Sequence, residues 1–213
     1  MKKRGTFITF EGIDGCGKTT QLRLLAAHLR ERGVAVVETV EPGGTEIGKQ
    51  IRRILLDPLN AGLNSRAELL LYFASRAQNV EQVIRPGLEQ GSTVLCDRFT
   101  DSTLVYQGCG RGLDTEPILA LDRLACGGLQ PDLTILIDID VALSRERSLL
   151  RNEKSGTGET RIDDESAAFH ARVREGYHAL ARKQPERIRV VHGGERIGAV
   201  AKLVWDQVEP LVR

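Results

Sequence analysis

Along the chain, short runs of β-branched and apolar residues alternate with longer stretches in which apolar residues return every three or four positions. Five runs, at 6–10, 34–40, 93–96, 133–139 and 188–192, read as buried strands. Between them, Leu22, Leu25, Ala26 and Leu29 share a helix face that Gly33 would terminate. Ser65 with Glu68 three residues on has the form of a capping box, opening a helix that carries Leu69, Tyr72 and Phe73. Towards the end of the sequence, Phe169, Val173, Tyr177 and Leu180 repeat at helical spacing, as do Ile197, Val200, Val204 and Val208. Both sets are read as core-facing stripes.

Strand followed by helix, repeated, predicts an α/β fold. The expectation is a doubly wound, five-stranded parallel sheet covered by helices on both faces, because parallel neighbours need long crossovers. Ligands of such sheets bind beyond the carboxyl ends of the strands. Function is therefore sought in the loops that begin at Glu11, Glu41, Asp97 and Asp140.

A chain of 213 residues, 41% hydrophobic, has material for one core, and a single domain over 1–213 is expected. The insert at 152–160, N-E-K-S-G-T-G-E-T, lies between two predicted helices. It is either a mobile lid, taken to cover about 147–161, or a plain disordered loop.

Thirty basic residues against 29 acidic ones leave a charge of +1. No global field exists to hold a nucleic-acid backbone, so no nucleic-acid partner is expected. Residues 1–4 include three basic side chains, but the apolar stretch behind them is too short for a secretory signal or a membrane span. Cys16, Cys96, Cys109 and Cys126 form no C-x-x-C pair, which suits free thiols in a cytoplasmic protein. His28, His170, His178 and His192 are scattered, and no metal site made by protein side chains alone is expected.

One segment carries chemistry by itself. Gly12, Ile13, Asp14, Gly15, Cys16, Gly17, Lys18 and Thr19 fit G-x-x-x-x-G-K-[ST] without a mismatch, directly after a predicted strand and before an amphipathic helix. This is the phosphate loop of the P-loop NTPase fold. Glycines let backbone N–H groups wrap phosphate oxygens and the helix terminus adds positive potential. Lys18 would bridge the β and γ phosphates of ATP, and Thr19 would join the shell of Mg²⁺. The loop alone does not separate kinase, GTPase and motor ATPase. A guanine-reading N-K-x-D at a strand end is absent, which weakens the switch class.

Further motifs narrow the choice. T-F-E-G-I-D-G-C-G-K-T-T at 9–20, E-P-G-G-T at 41–45, Asp97-Arg98, Tyr106-Gln107-Gly108 and Arg111-Gly112 occur in this order. Their order and spacing resemble bacterial thymidylate kinase, over most of the chain. The resemblance implies transfer of the γ-phosphoryl group of ATP to dTMP, with Mg²⁺, by a homodimer. It implies phosphate-binding roles for Arg52, Arg76 and Arg98, whose planar guanidinium groups can each grip two phosphate oxygens. It further implies stacking of thymine on Tyr72, contacts of Thr103 and Gln107 to the thymine edge, Tyr106 near the sugar, and Asp14 near the acceptor 3′-OH. Asp97 would either hold Mg²⁺ through water or orient Arg98, and Glu11 is a further acidic candidate near the metal.

The nucleophile would be a phosphate oxygen of dTMP, largely dianionic at neutral pH because its second pKa is about 6. No protein general base is then required, and converging positive charge is. Cys16 leaves the phosphate loop without an arginine, and the resemblance implies a catalytic arginine in the lid instead. Arg151 and Arg161 flank the insert and are the two candidates, with Arg147 third. Rival readings are a kinase for another nucleoside or monophosphate, and a P-loop ATPase that drives a partner. A silent nucleotide binder is disfavoured by intact Lys18, Thr19, Asp97 and Arg98.

Overall fold

The computed structural model describes residues 4–155 and 158–212. The first strand, β1 (Phe7–Glu11), leads through the phosphate loop into α1 (Lys18–Glu31), then β2 (Val36–Val40) and α2 (Glu46–Leu56). Next come α3 (Ser65–Asn79), a π-helical stretch at Val80–Ile84, α4 (Arg85–Glu89) and β3 (Thr93–Asp97). A single turn, α5 (Thr100–Thr103), continues as a second π-helical stretch, Leu104–Gly110, and is followed by α6 (Thr115–Cys126) and β4 (Leu133–Asp138). The remainder is α7 (Val141–Ser155), α8 (Ala167–Lys183), β5 (Ile188–His192) and α9 (Ile197–Val212).

The five strands form one sheet in the order β2-β3-β1-β4-β5, every pair parallel. All residues of β1, β3 and β4 are buried, whereas the edge strands β2 and β5 are partly open to solvent. Alternation along β1 shows why both faces need covering. Ile8 and Phe10 pack with Leu22, Leu25 and Leu29 of α1 and with Val200 and Val204 of α9, while Phe7 enters a second cluster with Val80, Ile84 and Leu88. The doubly wound α/β expectation holds, with strand bounds within two residues of those read from the sequence.

Three local expectations do not hold. Ile197, read with Val200, Val204 and Val208 as core-facing, is 61% exposed at the start of α9. Asn64, not Ser65, caps α3, its side chain accepting from the Arg66 N–H at 2.9 Å. Glu68, freed from capping, is fully buried and pairs with arginines instead. The insert expected to begin at Asn152 starts later: α7 runs on to Ser155, because N-E-K extends a helix without a breaker before the glycines. Gly156 and Thr157, within the expected lid, lie outside the described residues. Among the described residues, no helix is long and apolar enough to cross a membrane.

Candidate active site

Close backbone approach dictates the glycines of the phosphate loop. Gly12 has φ +136°, and a Cβ there would lie 2.4 Å from the Ile137 carbonyl oxygen in β4. Gly15 has φ +73°, and a Cβ there would lie 2.5 Å from the carbonyl oxygen of Ser144 in α7. Ile13 and Cys16 turn their side chains into the core, and burial pushes the Cys16 thiol up from its ordinary pKa. Those two positions can therefore serve a phosphate only through their backbone. Gly17 precedes α1 at φ +99°, Lys18 Nζ donates to the Ile13 carbonyl at 3.1 Å, and the Thr19 hydroxyl donates to the Asp97 carboxylate.

Arg98 follows the end of β3 and is the one described non-glycine residue with positive φ, at 71°. Such a conformation is uncommon for a side chain of this size, and four side-chain contacts hold it. Arg98 Nη2 donates to Asp14 Oδ1 at 2.7 Å and to the Tyr106 hydroxyl at 3.1 Å. Arg98 Nη1 donates to Ser102 Oγ at 3.0 Å and to the Tyr177 hydroxyl at 3.3 Å. Tyr106 in turn donates to Asp14 Oδ2 at 2.8 Å. Burial opposes ionisation of Asp14, yet Arg98, Lys18 and the Tyr106 hydroxyl hold its carboxyl well below the usual range.

Beneath Arg98 lies Glu11, fully buried. Its carboxyl accepts from the Phe99 N–H at 2.7 Å, from Ser102 Oγ at 2.6 Å and from the Tyr177 hydroxyl at 2.7 Å. Burial, reinforced by Asp101, raises its pKa to about 7 against the pull of Arg98 and the two hydroxyls.

These groups border a cavity of about 290 Å³ that gathers residues from distant parts of the chain. Asp14 and Thr19 line it, as do Arg52, Tyr72, Arg76, Arg98, Thr103, Tyr106, Gln107 and Arg151. Each of its arginines meets a carboxylate. Arg52 Nε donates to Glu159 at 2.9 Å, Arg76 Nε to Glu41 at 2.6 Å, Arg98 to Asp14, and Arg151 Nη2 to Asp163 at 2.5 Å. Arg76 Nη1 is nonetheless buried without a partner among the described residues. Tyr72 lines the cavity, while neighbouring Phe73 packs with Leu69 and Ile118. Burial, with Glu68 nearby, raises the Tyr72 phenol to about 12, so it stays neutral.

Of the residues read from the sequence, Gly12, Ile13, Gly15, Cys16 and Gly17 of the phosphate loop do not line the cavity, and Lys18, Asp97 and Arg161 also stand apart from its wall. Lys18 is buried under the loop and Asp97 lies behind Thr19. Arg161 turns away altogether: Nη2 donates to Glu68 at 2.6 Å and Nε to the Leu55 carbonyl, in a pair whose side chains are 4% and 1% exposed. Glu68 also receives Arg111 and, at 2.8 Å, the Gln107 amide.

Sequence reasoning named Asp14 but missed Glu41, Glu159 and Asp163 as partners of the other cavity arginines, and Arg111 as a partner of Glu68. Glu41 sits inside the E-P-G-G motif and Arg111 inside R-G, so motif membership was their available signal. Tyr177 was read as a core residue; its ring is buried, but its hydroxyl reaches Glu11. Glu159 lies in the insert and Asp163 in the R-I-D-D-E-S stretch that follows it and resembles the family's lid-closing segment, but neither had a signal for its arginine partner.

Thr19 and Asp97 offer a hard hydroxyl and a carboxylate at the mouth of the phosphate loop. Among the described residues, no cluster of three His, Cys, Asp or Glu could hold a metal. That donor set suits Mg²⁺, which keeps waters and phosphate oxygens as most of its ligands.

The chain matches the family model described as thymidylate kinase over residues 10–204. It is 53% identical over 203 residues to the thymidylate kinase of Geobacter sulfurreducens, covering 95% of each chain. It is likewise 53% identical over 191 residues to that of Desulfovibrio desulfuricans, covering 89% of this chain and 88% of the other. The crystal structure of thymidylate kinase from Ehrlichia chaffeensis superposes with a TM-score of 0.79 at 37% identity, covering 96% of this chain and 99% of that one. A cavity that joins a phosphate loop to converging arginines agrees with these likenesses, and the chain belongs to the thymidylate kinase family.

Proposed function

We propose that this chain transfers the γ-phosphoryl group of ATP to dTMP, giving dTDP and ADP for dTTP synthesis. The observation that carries it is the single cavity in which Asp14 and Thr19 of the phosphate loop meet Arg52, Arg76, Arg98 and Arg151. Two mutually repelling phosphates need that charge, and the family supplies the identity of the acceptor.

ATP would lie on the loop of Gly12, Ile13, Asp14, Gly15, Cys16, Gly17, Lys18 and Thr19, with Lys18 leaving the Ile13 carbonyl for the phosphates. Arg52, Arg76 and Arg98 would receive the dTMP phosphate, and the unpartnered Nη1 of Arg76 supports this. Tyr72 would stack on thymine. Thr103 and Gln107 would meet its edge; because Glu68 can only accept, it takes an amide N–H of Gln107 and leaves the amide oxygen and the second N–H for the base. Asp14 would accept from the 3′-OH, and the bulk of Tyr106 would disfavour a ribose 2′-OH.

In the transfer step an oxygen of the dTMP phosphate forms its bond to the γ-phosphorus while the bond to the β,γ-bridging oxygen breaks, and ADP leaves. No group on the protein takes a proton. Arg151, on the cavity wall, would neutralise the transferring group, whereas Arg161 would hold Glu68. Thr19, and Asp97 through water, would hold Mg²⁺, which when bound neutralises the phosphates and orients them.

Two further proposals concern assembly and location. A homodimer is supported by Leu70 of α3 and Leu119 and Leu124 of α6, exposed apolar side chains on two helices that pack together. A cytoplasmic location is supported by the free thiols Cys16, Cys96, Cys109 and Cys126.

The deciding experiment offers purified protein ATP and Mg²⁺ with a panel of nucleosides and monophosphates. ADP formation dependent on dTMP is expected. Equal turnover with another monophosphate, or ATP consumption without any acceptor, would contradict the assignment.

A further inference from the structure

Helix α7 does more than carry Arg151 to the cavity: it is seated on the phosphate loop itself. Ser144 Oγ donates to the Asp14 carbonyl at 2.5 Å. A Cβ at Gly15 would lie 2.5 Å from the Ser144 carbonyl oxygen, 3.1 Å from the Ser148 nitrogen and 3.0 Å from Ser148 Oγ. The helix and the loop therefore touch along a full turn, with glycine needed where they meet.

The Ser144 hydroxyl is not occupied with local duties. Asp140 opens the helix, its side chain accepting from the Ala142 N–H at 2.8 Å, and the Ser144 N–H bonds to the Asp140 carbonyl at 2.9 Å. A serine inside a helix commonly bonds back to the preceding turn. This one bonds instead to the peptide of the residue in the middle of the phosphate loop. Ser144, Ser148 and Arg151 fall at i, i+4 and i+7, on one face of α7. A rise of 1.5 Å per residue sets Arg151 roughly 10 Å beyond the Ser144 contact. The charge of Arg151 reaches the Asp14 carboxyl and helps hold it ionised.

We infer that Ser144 is a positioning residue, which indexes Arg151 to the phosphoryl group by anchoring α7 to the loop that binds it. The inference rests on the assignment of Arg151 to the transfer step. Its physical content is that the arginine and the phosphate share one frame, so an error in the seating of α7 becomes an error in where the guanidinium sits. Reaction geometry is sensitive to displacements of about 1 Å, for which a loss of about 100-fold is on record. Loss of one hydroxyl contact, with Gly15 packing still in place, is expected to cost less.

The test is a double-mutant cycle of Ser144→Ala and Arg151→Ala, reading kcat and the KM values for ATP and dTMP. Ser144→Ala is expected to lower kcat about 10-fold with both KM values within about 2-fold. Arg151→Ala is expected to lower kcat at least about 100-fold, and the double variant no further than Arg151→Ala alone. A double variant that loses the product of both factors would overturn the inference, because Ser144 would then act on the loop without Arg151. Wild-type kcat in Ser144→Ala would overturn it too. Wild-type kcat in Arg151→Ala would remove the assignment of Arg151 first and the inference with it, a pattern distinct from the other two.

Discussion

Arg76 and Glu41 meet at 2.6 Å with both side chains 2% exposed, and one guanidinium nitrogen of Arg76 still has no partner among the described residues. Asn79 holds the other Glu41 oxygen at 3.0 Å, and Arg76 Nη2 reaches the Phe99 carbonyl at 3.1 Å. Arg76 thus spans two tasks, as the counter-charge of a buried carboxylate and as part of the cavity wall. Arg52, which also lines the cavity and is 32% exposed, has a lighter structural task.

Replacing the two arginines should separate those tasks. Arg76→Ala strands a buried carboxylate and is expected to destabilise the fold by about 3–5 kcal/mol while raising the KM for dTMP. Arg52→Ala is expected to stay within about 1 kcal/mol of the parent and to raise the same KM. Denaturant unfolding beside dTMP saturation curves measures both.

Glu11 makes stability depend on pH. Its folded pKa of about 7 exceeds the ordinary 4.5, so between those values the folded chain binds more protons than the unfolded one. Stability from this group is fully present below pH 4.5 and declines as pH rises through 7, by on the order of 3 kcal/mol in all. Glu11→Gln should flatten that decline, because an amide does not titrate, while its nitrogen in place of Oε2 can donate to the Ser102 and Tyr177 hydroxyls and keep the packing. Unfolding midpoints at a series of pH values from 5 to 8 test it.

Arg151 and Arg161, indistinguishable as neighbours of the insert, should fail differently. Arg151→Ala should spare the fold, since Arg151 is itself half exposed and Asn152 still donates to the more buried Asp163. Arg161→Ala removes a buried partner of Glu68, with Arg111 and Gln107 remaining, and is expected to cost about 2–4 kcal/mol with a smaller loss of kcat. Melting curves and kcat taken together distinguish them.

At the phosphate loop, Lys18→Ala is expected to lower kcat by on the order of 10²–10³ without unfolding the protein. Asp97→Asn should raise the Mg²⁺ concentration needed for half-maximal rate, and chelation should abolish transfer in the parent. An unchanged Mg²⁺ requirement in Asp97→Asn would assign Asp97 to holding Thr19 alone.

Strands and the phosphate loop were legible because each is written locally: alternation, β-branching and a glycine pattern all fall within a dozen residues. The parallel sense of the sheet followed from the alternation of strand and helix, whereas the strand order did not. Periodicity alone does not tell Tyr72 from Phe73, because that depends on the azimuth of α3 against α6, which one helix does not encode; the family resemblance pointed to Tyr72. Glu68 was misread for a related reason. Its spacing from Ser65 is correct for a cap, but Asn64 competes for that role and Arg111 and Arg161 compete for the carboxylate. Pairings such as Arg76 with Glu41 or Arg52 with Glu159 join positions far apart in sequence, where no period or motif points from one to the other.

The sheet order carries a consequence for a chain still being synthesised. β1, which launches the phosphate loop, emerges before both strands it pairs with, joining β3 through Phe7 with Val94 and β4 through Ile8 with Leu133. β1 has no hydrogen-bonding partner until β3 has left the ribosome and a partner on one side only until β4 has followed, while Glu11 gains Ser102 before β4 and Tyr177 only after it. A nascent chain stalled before β4 should therefore hold no nucleotide, although its entire glycine-rich motif has already been translated.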